Sequence, residues 1–150
     1  EPLDVAAVLD DAQRQVAAEA EAKQVRVETA GDKAVVAGRR NDLERLFRNL
    51  LENAVRHSPP GGVVRAELKG EGQQWVATVS DQGAGVPESE RERIFEPFYR
   101  GEQAQAHDPP GAGLGLAIVR QIARAHGGDV ALETAAGAGG VFVVRLPAAG

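Results

Sequence analysis

Apolar residues recur at helical spacing in three segments of the chain, and each segment is predicted to form an amphipathic helix. The first covers residues 5–23, which are rich in Ala, Gln and Glu. The second begins at Asn41 or Asp42, both favourable N-cap residues, and runs to Arg56, after which the sequence SPPGG ends it. The third covers residues 114–126 and is closed by two glycines in the C-cap position.

Shorter runs of alternating or β-branched residues are predicted to be strands. They cover 25–29, 34–37, 63–68, 75–79, 130–134 and 141–146. The turn residues Gly31-Asp32 favour a hairpin between the first two, and a turn at 70–72 favours a second antiparallel pair. These elements predict an α+β fold, a two-layer sandwich in which about three helices cover one face of a mixed, mostly antiparallel sheet of about five strands.

The composition fits one domain with a sizeable core, because 43% of the 150 residues are hydrophobic. The formal net charge of −5 argues against a surface that tracks nucleic-acid phosphates. The absence of cysteine excludes disulfides, thiol nucleophiles and Cys-ligated zinc. No apolar run reaches the roughly 18 residues of a membrane-spanning helix. The absence of methionine, including an initiator, suggests a piece of a longer protein.

The second predicted helix carries two opposed stripes. Its apolar stripe, expected to lie in the core, contains Leu43, Phe47, Leu50 and Ala54. Asn49, Asn53 and Arg56 follow one another along the other face. A polar helix face is usually solvated, but asparagine is a poor helix-interior residue, and its amide oxygen is a sound Mg²⁺ ligand when phosphates supply the negative charge. From the residues alone, both interpretations stay open.

Two glycine-containing motifs are further candidates for a binding site. Residues 81–87 (DQGAGVP) follow a strand directly, and Asp81 is suited to accept a hydrogen bond from the exocyclic amine of adenine, although an ordinary acidic turn has the same pattern. Residues 111–116 (GAGLGL) open into the third helix, whose N-terminus favours an anion, although a hinge without ligand fits too. This second motif matches neither the P-loop nor the Rossmann fingerprint.

The order of four features along the chain carries a resemblance to a known family. The features are the helix with Asn49 and Asn53, the motif at 81–87, the run IFEPFYR at 94–100 and the motif at 111–116. In this order they resemble the N, G1, F and G2 boxes of sensor histidine kinases, whose ATP-binding (Bergerat) fold is shared with gyrase, Hsp90 and MutL. The resemblance covers nearly the whole chain and implies a histidine kinase domain that binds Mg-ATP under a lid of about residues 86–110.

The resemblance also implies roles for individual residues. Asp81 is implied to bind the adenine amino group and Asn53 to hold Mg²⁺, while Asn49, Asn53 and Arg56 are the implied catalytic set. The remaining implied nucleotide contacts are His57, Gly83, Gly85, Val86, Ile94, Phe95, Phe98, Arg100, Gly111, Gly113, Leu114, Gly115 and Leu116.

Some positions depart from the family pattern or lack its chemistry. Ala112 and Gly140 stand where relatives often carry a small hydroxyl residue, so no hydroxyl contact is expected there. The phosphoacceptor is also expected elsewhere, because none of His57, His107 and His126 is followed by an acidic residue on a helix, as the family's acceptor is. His126 is expected to cap the third helix instead.

Three other functions are alternatives to the histidine kinase interpretation. An ATP hydrolase of the gyrase or Hsp90 kind has a glutamate base where this chain has Asn49, and Glu52 lies off that helix face, so hydrolysis is predicted to be very slow. A serine kinase of the anti-sigma-factor type has the same ATP-binding fold. A non-enzymatic nucleotide sensor is disfavoured, because it has no need to hold Mg²⁺.

The resemblance also predicts the setting of the domain. Its expected partners are its own dimerisation and phosphoacceptor domain, in a homodimeric parent whose sensor domains lie upstream, and a cognate response regulator; no nucleic acid is expected. The fragment itself is expected to be monomeric and not membrane-bound. It is expected to be the cytoplasmic domain of a membrane-anchored sensor protein.

Overall fold

The computed structural model describes residues 2–31, 35–83, 88–96, 115–133 and 139–148, and in this part of the chain each α-helix is followed by two strands. The helices are α1 (Val5–Lys23), α2 (Arg40–His57) and α3 (Gly115–Ala125). The strands are β1 (Pro2–Asp4), β2 (Arg26–Gly31), β3 (Val35–Ala37), β4 (Val63–Glu71), β5 (Gln74–Ser80), β6 (Asp129–Glu133) and β7 (Val141–Pro147). Two 3₁₀ turns, Glu88–Glu90 and Arg93–Phe95, follow β5.

The main sheet has five strands in the order β2-β4-β5-β7-β6. β2 and β4 are parallel, with Arg26 opposite Val63, and the other three pairs are antiparallel. A parallel pair needs a crossover connection, and α2 lies in the segment that joins β2 to β4. The prediction of a mixed, mostly antiparallel sheet is confirmed.

The predicted hairpin between the first two strands of the sequence analysis is wrong. β2 joins the main sheet beside β4, whereas β3 pairs with β1 in a separate two-stranded sheet, with Val36 opposite Leu3. Val36 is only 2% exposed, so pairing with β1 places its side chain in the core. An alternating pattern indicates a strand but does not identify the strand beside it.

The N-cap predicted for α2 is also wrong. The helix begins at Arg40, and its N-cap is Arg39, which makes no capping hydrogen bond with its side chain. The Arg39 N–H instead donates to His126 Nε2 at 3.1 Å, so a contact with the far end of α3 sets where the chain enters the helix. The β4–β5 turn likewise lies at 72–73 and not at 70–72.

The three helices pack on one face of the sheet around a single hydrophobic core. Leu43, Phe47, Leu50 and Ala54, the predicted apolar stripe of α2, are all at 0% exposure, which confirms that prediction. α1 is held at its start by Asp4, whose Oδ1 accepts from the Ala6 N–H at 3.1 Å. The predicted two-layer α+β sandwich is confirmed. In the described ranges, no helix is both long and apolar enough to span a bilayer.

Candidate functional site

The polar face of α2 is less exposed than a solvated helix face. Asn53 is only 7% exposed, and its Oδ1 accepts a hydrogen bond from Arg56 Nη2 at 3.0 Å. Arg56 itself is exposed. The solvated-face interpretation is therefore wrong for Asn53, whose amide oxygen is buried against a cationic partner.

Asn49 connects this face of α2 to the beginning of α3. Its Nδ2 donates to the carbonyl oxygen of Gly115 at 3.4 Å, and a Cβ placed on Gly115 would lie 3.9 Å from Asn49 Cγ. The first turn of α3 therefore contacts the predicted N box directly. The end of the glycine-rich motif and the asparagine helix, predicted to share one site, are brought together.

Asp81 is a buried carboxylate at the end of β5, with 8% of its surface exposed. Its Oδ1 accepts from the N–H groups of Gly83 at 2.8 Å and Gly140 at 3.2 Å, and its own N–H donates to the Gly140 carbonyl at 3.0 Å. These bonds fix the orientation of the carboxylate. Oδ2 receives no hydrogen bond from the described residues, so it remains available to an external donor.

Two glycines allow the backbone to pack closely around Asp81. A Cβ on Gly83 would lie 2.3 Å from the carbonyl oxygen of His57, the last residue of α2. A Cβ on Gly139, whose φ is +81°, would lie 2.3 Å from the carbonyl oxygen of Asp81. Neither position has room for a side chain. The Asp81 turn is consequently packed against the end of the helix that carries Asn53.

Lys23 holds the same end of α2 from the neighbouring helix, a contact that the sequence analysis missed. Its Nζ donates to the carbonyl oxygens of Val55, at 3.0 Å, and Arg56. A lysine near the final carbonyls of a helix satisfies acceptors that have no partner within the helix. Nothing in the sequence pattern of α1 pairs its last residue with a helix end 32 positions later.

Phe95, a predicted F-box residue, lies in the core at 4% exposure. The Phe95 ring packs edge to face against the Phe142 ring, with 6.1 Å between the two centroids. The Arg120 guanidinium lies over the Phe95 ring, 4.7 Å from its centroid. Arg120 also donates to Glu92 Oε1 at 2.9 Å and contacts Asp129 Oδ1 at 3.5 Å. Arg120 gives no signal in the sequence, because an arginine on an amphipathic helix is usually solvated.

The pKa of Asp129 reflects this cluster. Partial burial, the largest cause, raises it, but the hydrogen bond from the Val130 N–H and the charges of Arg124 and Arg120 together lower the pKa below its ordinary value. Asp129 therefore stays ionised and holds the two arginines at the start of β6.

Other predicted site residues have packing roles or lie outside the description. Ile94 and Leu116 are half-buried and pack against the hydrophobic core, and His57 is exposed at the end of α2. Outside the described residues lie Gly85, Val86, Phe98, Arg100, Gly111, Gly113 and Leu114, as well as His107 and Ala112.

Both ring nitrogens of His126 are occupied. Nδ1 lies 2.8 Å from the Ile122 carbonyl oxygen, and Nε2 accepts from the Arg39 N–H at 3.1 Å, so Nδ1 carries the proton. The ring thus closes the last turn of α3 and fixes the start of α2. The prediction that His126 caps the third helix is confirmed.

Glu52 belongs to the contact between α1 and α2. Its Oε1 lies 3.6 Å from Arg48 Nε. Burial is the main cause that raises its pKa above the ordinary value; the negative charge of Glu19 raises it further, while Arg48 and Arg56 oppose the shift. It makes no hydrogen bond to Asn49 or Asn53 in the described structure.

A family model described as histidine kinase-, DNA gyrase B-, and HSP90-like ATPase matches residues 38–150, from α2 to the last strand. The chain belongs to this family. The predicted family resemblance is therefore confirmed, and ATP is the nucleotide that this ATPase fold implies.

Within the family, the similar proteins are sensor kinases. The sensor protein CutS of Streptomyces coelicolor is 42% identical over 147 residues, which cover 97% of this chain and 36% of CutS. The structure of the mycobacterial sensor histidine kinase MprB is 33% identical, with a TM-score of 0.90, covering 99% of this chain and 98% of that one. Full-length ShkA in complex with AMPPNP is 28% identical, with a TM-score of 0.83, covering 99% of this chain and 31% of ShkA.

These comparisons place the domain within its family. It is a histidine kinase ATPase domain of the type found in the sensor kinases of two-component systems. It spans about a third of the length of the curated relatives that it matches, as the 36% coverage of CutS indicates.

Proposed function

We propose that this chain binds Mg-ATP and presents the γ-phosphate to a histidine on a separate dimerisation and phosphoacceptor domain of its parent protein. The observation that carries this proposal is the close packing of Gly83 against the carbonyl oxygen of His57, which leaves no room for a Cβ at position 83. This contact fixes the Asp81 carboxylate and the Asn53 amide at the same end of α2. A single adenine nucleotide can contact both residues, with its exocyclic amine at Asp81 and its Mg²⁺-bound phosphates at Asn53.

Asp81 supplies the adenine end of the site. Its Oδ1 is already saturated by the Gly83 and Gly140 N–H groups, so Oδ2 accepts from the exocyclic amine. Guanine presents no amine at the corresponding edge, and a carboxylate cannot donate to its carbonyl oxygen. The site therefore selects adenine because the one carboxylate oxygen that remains, Asp81 Oδ2, can only accept a hydrogen bond.

Asn53 and Arg56 supply the phosphate end. Asn53 Oδ1 is a neutral amide oxygen, a ligand type that suits Mg²⁺ when phosphates supply the negative charge; in the described structure it accepts from Arg56 Nη2 at 3.0 Å. The described residues contain no group of three or more His, Asp or Glu side chains suited to a metal, so phosphate oxygens would complete the coordination. When bound, Mg²⁺ supplies charge neutralisation on the phosphates, and Arg56 adds a positive charge from the helix end.

The same residues disfavour hydrolysis. The side-chain amide of Asn49 donates to the Gly115 carbonyl oxygen. An amide cannot act as a general base at neutral pH. Glu52 interacts with Arg48 and Glu19 at the α1 contact, away from Asn49. Bound ATP is therefore held for an external nucleophile, and phosphoryl transfer then depends mainly on positioning and charge neutralisation.

The setting of the domain is part of the proposal. The acceptor domain belongs to a homodimeric parent, the phosphoryl group passes on to a cognate response regulator, and the domain works on the cytoplasmic side of a membrane-anchored sensor. The similarity of the chain to CutS, a sensor protein, and to MprB, a sensor histidine kinase, supports this setting.

Calorimetry with Mg-AMPPNP tests the binding half of the proposal. Asn53→Ala is expected to weaken Mg-dependent binding at least about tenfold, because it removes a metal ligand. Asn41→Ala, at the exposed start of the same helix, is the matched control and should leave affinity unchanged.

Transfer is tested by incubating the chain with ATP and the parent's acceptor domain. Acid-labile phosphate on a histidine of that domain, dependent on Asn53, is the expected product. Rapid ATP hydrolysis by the chain alone, lost in Asn53→Ala, would identify a hydrolase instead. Acid-stable phosphoserine on another protein would identify a serine kinase.

A further inference from the structure

Gln82, which lies between Asp81 and Gly83 in the chain, binds the first residue of β4. Its Oε1 accepts a hydrogen bond from the Val63 N–H at 2.8 Å. Gln82 is exposed, and an exposed glutamine side chain is usually solvated. This side chain instead has a defined backbone partner on a neighbouring strand.

The register of the sheet explains why a side chain supplies this acceptor. Ser80, the last residue of β5, lies opposite Arg65 of β4. Continuing the same antiparallel register by two residues places Gln82 opposite Val63, but β5 has ended by then. The Gln82 side chain takes the place of the next strand acceptor, so the backbone can leave the sheet and form the Asp81 turn while the Val63 N–H stays paired.

The surrounding backbone packs closely around Gln82. Gly62 belongs to the loop after α2 (residues 58–62), and a Cβ on it would lie 3.3 Å from Gln82 Oε1 and 2.9 Å from the Pro59 carbonyl oxygen. A Cβ on Gly139 would lie 3.3 Å from Gln82 Cα. Gln82 therefore connects the loop after α2 with the turn that carries the adenine acceptor of the proposed site.

We propose that Gln82 is a positioning residue, which orients the Asp81 carboxylate by tying the Asp81 turn to the loop after α2. Asp81 Oδ1 accepts from the Gly83 N–H at 2.8 Å, and Gln82 joins these two residues in the chain. A movement of the Gln82 backbone shifts both the carboxylate and its donor. This inference rests on the proposed function, because it requires Asp81 to bind the exocyclic amine of adenine.

Calorimetry with ATP and with purine riboside triphosphate, each with Mg²⁺, measures recognition of the amine. The second nucleotide has a hydrogen atom in place of the amine and the same phosphates. The ratio of its Kd to that of ATP should be at least about tenfold for the unmodified chain, because a hydrogen bond to a charged acceptor is lost. Gln82→Met should lower this ratio at least about threefold, because Asp81 is then less well oriented. A general loss of stability would weaken both nucleotides equally and leave the ratio unchanged.

Gln82→Glu is the conservative variant, since it keeps a terminal oxygen that accepts from the Val63 N–H. Its ratio should stay within about twofold of that of the unmodified chain, because both nucleotides meet the added charge equally. Gln73→Met, in the exposed β4–β5 turn, is the matched control and should leave the ratio unchanged. Hydrogen exchange of the Val63 N–H should become faster in the Gln82→Met protein and stay slow in the Gln82→Glu protein.

The outcomes separate this inference from the proposed function. Absence of ATP binding to the unmodified chain, or a ratio near one, would overturn the proposed function. A high ratio that Gln82→Met leaves unchanged, or an equal fall with Gln82→Met and Gln82→Glu, would overturn only the role of Gln82. If thermal unfolding shows that Gln82→Met does not fold, Gln82→Ala takes its place. Loss of folding in both variants would identify a purely structural residue and overturn the positioning role.

Discussion

Asp81 illustrates how a fold restricts a general hydrogen-bond acceptor. Two backbone N–H groups, from Gly83 and Gly140, saturate Oδ1 and leave Oδ2 as the remaining acceptor. Because the carboxylate is 8% exposed, it does not rotate freely to compensate for a poorly matched ligand. In the proposed site, selectivity for adenine at Asp81 therefore arises from the backbone donors around it.

Asp81→Asn is predicted to keep the fold and lose nucleotide binding. The amide oxygen would take the place of Oδ1, since two N–H groups require an acceptor there, and Nδ2 would then face the adenine amine as a second donor. Calorimetry should show Mg-AMPPNP affinity reduced at least about a hundredfold. Thermal unfolding should shift by less than about 4 °C.

A control separates this effect from a change of net charge. Asp10→Asn, on the exposed side of α1, removes the same charge and should bind nucleotide normally. An Asp81→Asn variant with unchanged affinity would show that another group binds the base.

At the scale of elements, Arg120 joins three parts of the chain. From α3 it stacks on Phe95, donates to Glu92 beside the second 3₁₀ turn and contacts Asp129 at the start of β6. Its side chain is 18% exposed, so these interactions are only partly screened by water. Helix, turn and strand are therefore held together by one guanidinium group.

Arg120→Met is predicted to destabilise the domain by about 1–2 kcal/mol, because it removes a shielded cation–π contact and two charge pairs. Arg124→Met is the matched variant, since Arg124 lies on the same helix but is 57% exposed and pairs only with Asp129 among the described residues. It should cost less than about 0.5 kcal/mol. Urea unfolding of both variants measures the difference; equal losses would refute the special role of Arg120.

Sequence patterns predict the elements themselves but miss many of the contacts between them. All three helices were predicted from periodicity. The role of Asn53 was implied by the resemblance to sensor histidine kinases, because the residues alone left a solvated helix face equally open. The partner of β2 and the start of α2 were predicted wrongly, because a parallel neighbour and the bond from Arg39 to His126, 87 residues away, leave no local signal. Contacts such as that of Lys23 with the end of α2 are hidden for the same reason.

For the whole molecule, the distribution of charge between helices makes stability depend on pH. Glu52 is partly buried near Glu19, and its pKa is raised. The folded state therefore binds more protons than the unfolded state at pH values just above the ordinary pKa of 4.5. The stabilising contribution of protonated Glu52 to the free energy of unfolding is fully present below pH 4.5 and is lost as pH rises through the folded-state pKa.

Glu52→Gln is predicted to gain stability relative to the natural chain as pH rises from about 4 towards neutrality, because the neutral side chain pays no penalty for ionisation at the helix contact. Urea unfolding at a series of pH values gives the difference between the two proteins. Glu71→Gln, at an exposed strand end, is the control and should follow the natural chain. Parallel curves for the Glu52 variant would contradict the prediction.

The position of β7 has a consequence for how the domain is made. Among the described strands it comes last in sequence, yet it lies between β5 and β6, and Gly140, just before it, provides partners for Asp81. On the ribosome, the edges of β5 and β6 therefore stay open until the final strand has been synthesised, which is when exposed strand edges favour aggregation. In the nucleotide site proposed above, Asp81 gains its Gly140 donor only at that stage, so a nascent fragment that ends before Gly140 lacks part of the proposed site.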